Sequence, residues 1–158
     1  MKRQLSLLLA GTLFLGSLAV AEDKVNVSAG MTGAGAPLAI HGYDPVSYFT
    51  AGLPSIGSAK FTAKHGDAAY RFVSEANRKA FEKNPDAYLP QFGGFCAYGV
   101  TVEQKFDGDP RVWAIVDGKL YFNLNPDIQK LWNEGTAEHI AKATKQWSKI
   151  RTKAATEL

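Results

Sequence analysis

An α+β fold, a small antiparallel sheet built from hairpins with helices packed on one side, is what this sequence predicts. Two stretches carry the strand signal. Ala59 to Ala63 and Ala69 to Val73 flank the turn-forming run Lys64-His65-Gly66-Asp67, and Val112 to Val116 and Leu120 to Leu124 alternate around Asp117-Gly118. Gly and Asp between short alternating runs favour a tight hairpin, because they tolerate positive φ. The third observation is the residue after each hairpin. Ser74, and then Asn125 or Asp127, can cap a helix whose apolar positions follow at helical spacing. Hairpins followed by helices, rather than strands alternating with helices, argue against a parallel sheet.

The elements follow in order. Lys2 and Arg3, the apolar run Leu5 to Leu18 and the small-x-small step Ala19-Val20-Ala21 predict a signal peptide over residues 1–21, cut after Ala21. The apolar run is short for the ~20 residues of a membrane span. The expected location is periplasmic or secreted, with no stable membrane insertion after cleavage. Residues 22–37, rich in Gly, Ala, Ser and Thr, read as a flexible leader. Gly30-Met31-Thr32-Gly33-Ala34-Gly35 is no phosphate loop, since no Lys-Ser/Thr follows it.

The folded domain is expected over residues 38–150, with a C-terminal tail at 151–158. Gly42-Tyr43-Asp44-Pro45 is a turn, in which Asp44 bonds a backbone N–H. After the first hairpin, a helix carries Ala76, Ala80 and Phe81 and stops at Asn84-Pro85. Asp86 to Phe92 forms a helical turn into Gly93-Gly94. After the second hairpin, a helix runs through Trp132 and breaks at Gly135. Thr136 then caps a last helix with Ile140, Ala143, Trp147 and Ile150 on one stripe. No internal repeat is visible.

Charge narrows the partners. The chain carries +3, and loss of Lys2 and Arg3 with the signal peptide leaves +1. That near-neutral balance gives no electrostatic footprint for nucleic acid. The cluster of basic residues from Lys142 to Lys153 reads as a solvated helix face.

Several dispersed segments together resemble the YHS domain family, in its exported, stand-alone branch. They are His41-Gly42-Tyr43-Asp44-Pro45-Val46-Ser47-Tyr48-Phe49, then Tyr70-Arg71-Phe72-Val73-Ser74-Glu75-Ala76-Asn77, then Phe81, Asn84-Pro85 and Tyr88. Gly93 to Val100 and Val116-Asp117-Gly118-Lys119-Leu120-Tyr121 continue the likeness. It covers roughly residues 38–150. Metal-handling members of the wider family place cysteine at positions that here hold Ser47, Val73 and Asn77. None of these suits a soft or borderline ion. The resemblance therefore implies the fold and not that thiolate site.

The chain has one cysteine, Cys96, which cannot form an internal disulfide. Three readings of it stay open. In the first, the domain handles copper or zinc, with Cys96 as thiolate and His65 and His41 assisting, since thiolate and imidazole suit those ions. In the second, Cys96 is a small buried hydrophobe, and the domain is a module for a small molecule or a protein partner. The third is a thiol enzyme, for which no resolving cysteine and no adjacent base is present. His65 at a turn and His139 on the last helix are expected at the surface, and His41 is expected to bond the turn backbone. Asp107-Gly108-Asp109-Pro110 lacks the remaining ligands of a calcium loop. Phe92, Phe95, Tyr98, Trp113, Tyr121 and Phe122 surround Cys96 in sequence, as core or as the wall of an apolar pocket.

Overall fold

A computed structural model describes residues 24–158. The expected signal peptide and its cut after Ala21 lie outside these residues. Both expected hairpins form. In the first, β1 (Ser58–His65) and β2 (Ala68–Phe72) are antiparallel and pair His65 with Ala68 across Gly66-Asp67. In the second, β3 (Asp109–Val116) and β4 (Lys119–Asn123) pair Val116 with Lys119 across Asp117-Gly118. Asp117 and Gly118 sit at φ +49° and +71°, the backbone that a right-twisted hairpin with a two-residue turn requires. The two ribbons remain separate two-stranded sheets among the described residues. The expectation of one sheet is corrected to that extent, and the α+β class stands.

The helices are α1 (Ser47–Thr50), α2 (Glu75–Lys83), α3 (Ala97–Thr101), α4 (Pro126–Asn133) and α5 (Thr136–Ile150). The Ser74 hydroxyl accepts from Asn77 N–H at the start of α2, and the Asn125 side chain accepts from Ile128 N–H at the start of α4. Each satisfies a donor that the first helical turn leaves unpaired. Thr136 does not cap α5. It is the first helical residue, and its hydroxyl donates to Trp132 O at 3.2 Å.

The structure also contains a repeat that the sequence hides. β3, β4 and the start of α4 each lie 51 residues after β1, β2 and the start of α2. The β-ladders break at matching places, between Ser58 and Thr62 and between Asp109 and Trp113. Isolated parallel bridges join Leu38 to Ala69 and Pro90 to Leu120. Tight turns at Ile40–Gly42 and Gln91–Gly94 precede α1 and α3, with His41 and Phe92 at φ +50° and +54°. The domain is two copies of one unit: tight turn, short helix, hairpin, helix. The expectation of no repeat is overturned.

Each unit has its own apolar cluster. The first gathers Tyr48, Tyr70, Phe72 and Phe81 with Leu120 and Phe122. The second gathers Phe92, Phe95, Tyr121, Trp132, Ala143 and Ile150, where α5 closes over α3. Tyr48 joins the units. Its ring meets Trp113 and Phe122 at 5.2 and 5.5 Å, and its hydroxyl donates to Pro110 O at 2.8 Å.

The segments outside the expected domain are tied to it. Asn26 N–H donates to Gly93 O at 2.9 Å, and Asn26 Nδ2 donates to Asp107 at 2.6 Å. Gly93, at φ +65°, has no room for a Cβ against the Lys24 carbonyl. At the other end, the buried Lys105 ammonium donates to the carbonyls of Arg151 and Lys153 at 3.1 and 2.5 Å. It also lies 5.4 Å from the Trp147 ring centroid. Leu158 packs on the second cluster.

Candidate functional site

Cys96 is fully buried and occupies the position that caps α3. Its sulfur accepts from Gly99 N–H at 3.3 Å and faces Asn123 Oδ1 at 3.8 Å. Burial pushes the thiol up, against the opposing pull of the Gly99, Leu124 and Tyr98 N–H groups. A buried thiol held in its neutral form is a poor nucleophile.

The repeat explains what this thiol does. Asp44 leads into α1 from three residues before it, and Cys96 directly precedes α3, in the related runs Gly42-Tyr43-Asp44 and Gly94-Phe95-Cys96. Asp44 is also fully buried. Its carboxylate accepts from Val46 N–H at 2.8 Å, Val73 N–H at 2.9 Å and Asn77 Nδ2 at 2.7 Å. Val73 directly follows β2, and Leu124 directly follows β4. In both units, then, a buried acceptor takes one N–H from the chain at the short helix, Val46 just before α1 and Gly99 within α3, and faces another from the residue that leaves the hairpin. Asp44 bonds more than the single backbone N–H expected of a turn residue. Ser47, Val73 and Asn77, the positions singled out in the sequence, do converge in space. They surround Asp44, with the Ser47 hydroxyl donating to the carbonyls of Asp44 and Leu53.

The histidines are dispersed over other surroundings. His41 is exposed, and Nε2 lies 2.9 Å from Asp107 Oδ1. It bonds this carboxylate rather than the turn backbone. His65 closes β1, half-buried rather than solvated, with its ring edge-on to Phe81 at 5.9 Å. His139 is half-buried too. It stacks on Trp132 at 5.7 Å, meets Tyr98 at 5.2 Å and contacts Trp132 O through Nδ1 at 3.0 Å. Among the described residues, no group of three or more His, Cys, Asp or Glu side chains is placed to hold a metal ion. Cys96, His65 and His41 thus do not form such a group. Asp109 in the Asp-Gly-Asp-Pro run is taken by Arg111 at 2.7 Å. That pairing holds its carboxyl below the usual range. Lys142, Lys145, Lys149, Arg151 and Lys153 are exposed, as a solvated face requires.

A cavity of about 370 Å³ opens where the first hairpin tip, the Gly93 turn and the end of α5 meet. Val25, Tyr70, Leu89, Pro90 and Trp147 form apolar wall, and Lys24, His65, Asp67 and Arg151 bring polar groups to it. Its size falls at the lower end of small-molecule sites, which combine apolar walls with few polar groups. Of the sequence candidates, only His65 lines it. In the sequence Tyr70 falls in the first hairpin, Leu89 in the Asp86 to Phe92 turn and Trp147 on the apolar stripe of the last helix, with Lys24 in the leader and Arg151 in the tail. No motif marks the site, because four separate segments build it. A second, polar cleft of about 270 Å³ holds His41, Tyr43, Asp107, Asp109 and Arg111, with its ionic groups largely paired to one another. No helix among the described residues is long and apolar enough to cross a membrane.

Set beside protein-family models, curated proteins and solved structures, the chain matches none of them.

Proposed function

We propose that this chain is an exported, YHS-like binding domain that holds a small organic molecule in the cavity between the first hairpin tip and α5, with Cys96 as a structural residue. The observation that carries this reading is the equivalence of Cys96 and Asp44. The position serves to accept N–H groups at a buried helix start, and sulfur fills that role in the second unit. A thiolate bound to copper or zinc would have to leave that role, in a place with no imidazole among its contacts. The same burial speaks against a thiol enzyme. The YHS likeness is supported by the way Ser47, Val73 and Asn77 gather around one point.

A fragment titration followed by amide chemical shifts tests the proposal. The mature protein, ¹⁵N-labelled, is exposed to neutral, anionic and cationic ring fragments. Saturable shifts at His65, Tyr70, Leu89, Gly93 and Trp147 are expected. No shifts there, alongside stoichiometric Cu(I) or Zn(II) uptake that perturbs Cys96, would replace this reading with the metal one.

A further inference from the structure

Resting on the cavity reading, we infer that residues 24–28 form a strap whose docking completes the cavity, and that Asp107 is the latch that holds it down. The strap runs between the two repeated units. Toward the first unit, Val27 bridges Ala39, and Ser28 N–H donates to Leu38 O at 2.8 Å. Toward the second, Asn26 N–H donates to Gly93 O at 2.9 Å, and the Lys24 carbonyl lies against Gly93 where a Cβ would stand. On the inner side, Lys24 and Val25 line the cavity, and Val25 packs on the first apolar cluster. Lifting the strap removes part of the wall that a bound molecule touches.

The tie centres on Asn26. Its Nδ2 donates to Gly94 O at 3.2 Å and to Asp107 Oδ1 at 2.6 Å. The same carboxylate oxygen lies 2.9 Å from His41 Nε2, on the tight turn of the first unit. One carboxylate thus links the strap to the turn that starts the other unit. Asn26, His41 and Asp107 do not line the cavity, so a change at Asp107 acts on it through the strap.

Two features allow the strap to lift. It lies at an edge of the fold, where Lys24 and Val27 are exposed, and such segments open locally at low cost. Beyond it, Gly30 and Gly35 stand at φ +90° and +70° with open space where a Cβ would be, so the chain can turn there without a clash. A molecule that touches the docked strap shifts it toward that state, and by linkage the docked strap holds the molecule more tightly.

Amide exchange followed by NMR on the ¹⁵N-labelled protein tests the coupling. The probe is indole, or the member of the fragment set that shifts the cavity amides most. At about ten times its Kd the probe should slow exchange of the Asn26 and Ser28 amides about tenfold, because it binds the docked strap and not the lifted one. Gln129, whose amide bonds Asn125 O at the start of α4, should keep its rate. In the free protein, Asp107→Ala should speed the Asn26 and Ser28 amides about fivefold, the effect of losing one exposed hydrogen bond. Asp107→Asn keeps an oxygen for Asn26 and should stay near the wild-type rate. Strap amides that exchange at the same rate with and without saturating probe, while the cavity amides shift, overturn the inference and leave the cavity reading standing. Wild-type rates in Asp107→Ala remove the latch and overturn the inference as well. If no fragment shifts the cavity amides, both readings fall.

Discussion

Removal of the Asp44 carboxylate should be among the most damaging single changes to this domain. The group is fully buried, and its two oxygens take three hydrogen bonds: Val46 N–H, Val73 N–H and Asn77 Nδ2. Those bonds tie the first turn to the end of β2 and the start of α2. In Asp44→Ala all three donors lose their acceptor together. Each bond to a charged group contributes about 1.5–3 kcal/mol. Water entering the space and relaxation of Asn77 recover part of the loss, so the expected cost is roughly 3–5 kcal/mol. For a domain of this size that corresponds to a Tm fall of roughly 10–20 °C. Urea denaturation followed by far-UV circular dichroism reads it as a lower midpoint at constant slope. Cys96→Ala removes a weaker acceptor with fewer bonds and should cost about 1–2 kcal/mol. A loss under about 1 kcal/mol for Asp44→Ala, or a larger loss for Cys96→Ala than for Asp44→Ala, would refute the argument that these two positions share one role.

Two further outcomes are expected. Burial raises the phenols of Tyr48 and Tyr70. Their folded pKa exceeds the unfolded value, so the stability they contribute is whole below about pH 10 and lost as pH rises beyond it, by about 1.4 kcal/mol per pH unit for each phenol. Urea midpoints between pH 8 and 11 should fall accordingly, and Tyr48→Phe should flatten the fall while lowering stability at pH 8 by about 1 kcal/mol. Lys105→Met should release the carbonyls of Arg151 and Lys153, and limited trypsin digestion should then cut after these residues well before it attacks the wild-type chain. Equal cleavage rates would show that Lys105 does not hold the C-terminal segment.

The hairpins were legible because turn chemistry is local. Asp117-Gly118 and Gly66-Asp67 announce positive φ within two residues, and Ser74 and Asn125 announce their helices in the same way. The repeat was not legible, because its units share geometry and little identity. Tyr70 and Tyr121 match, while Asp44 answers to Cys96, Phe72 to Asn123 and Phe81 to Trp132. A carboxylate and a thiol look unrelated until both are seen accepting N–H groups at a helix start. Thr136 misled for a similar reason. A threonine before an apolar stripe resembles a cap, but Gly135 takes the cap position, and the hydroxyl turns back to Trp132 O. The cavity depends on long-range closure between residues near 24, 65, 90 and 150, which no spacing in the chain records.

An anaerobic Cu(I) titration against a competing chelator distinguishes a structural Cys96 from a metal ligand. It is run on the folded protein beside Cys96→Ala. Equally weak uptake is expected of both proteins, with no thiolate-to-copper absorption in either. Tight, stoichiometric uptake by the wild type that Cys96→Ala loses while still folded would contradict a structural Cys96.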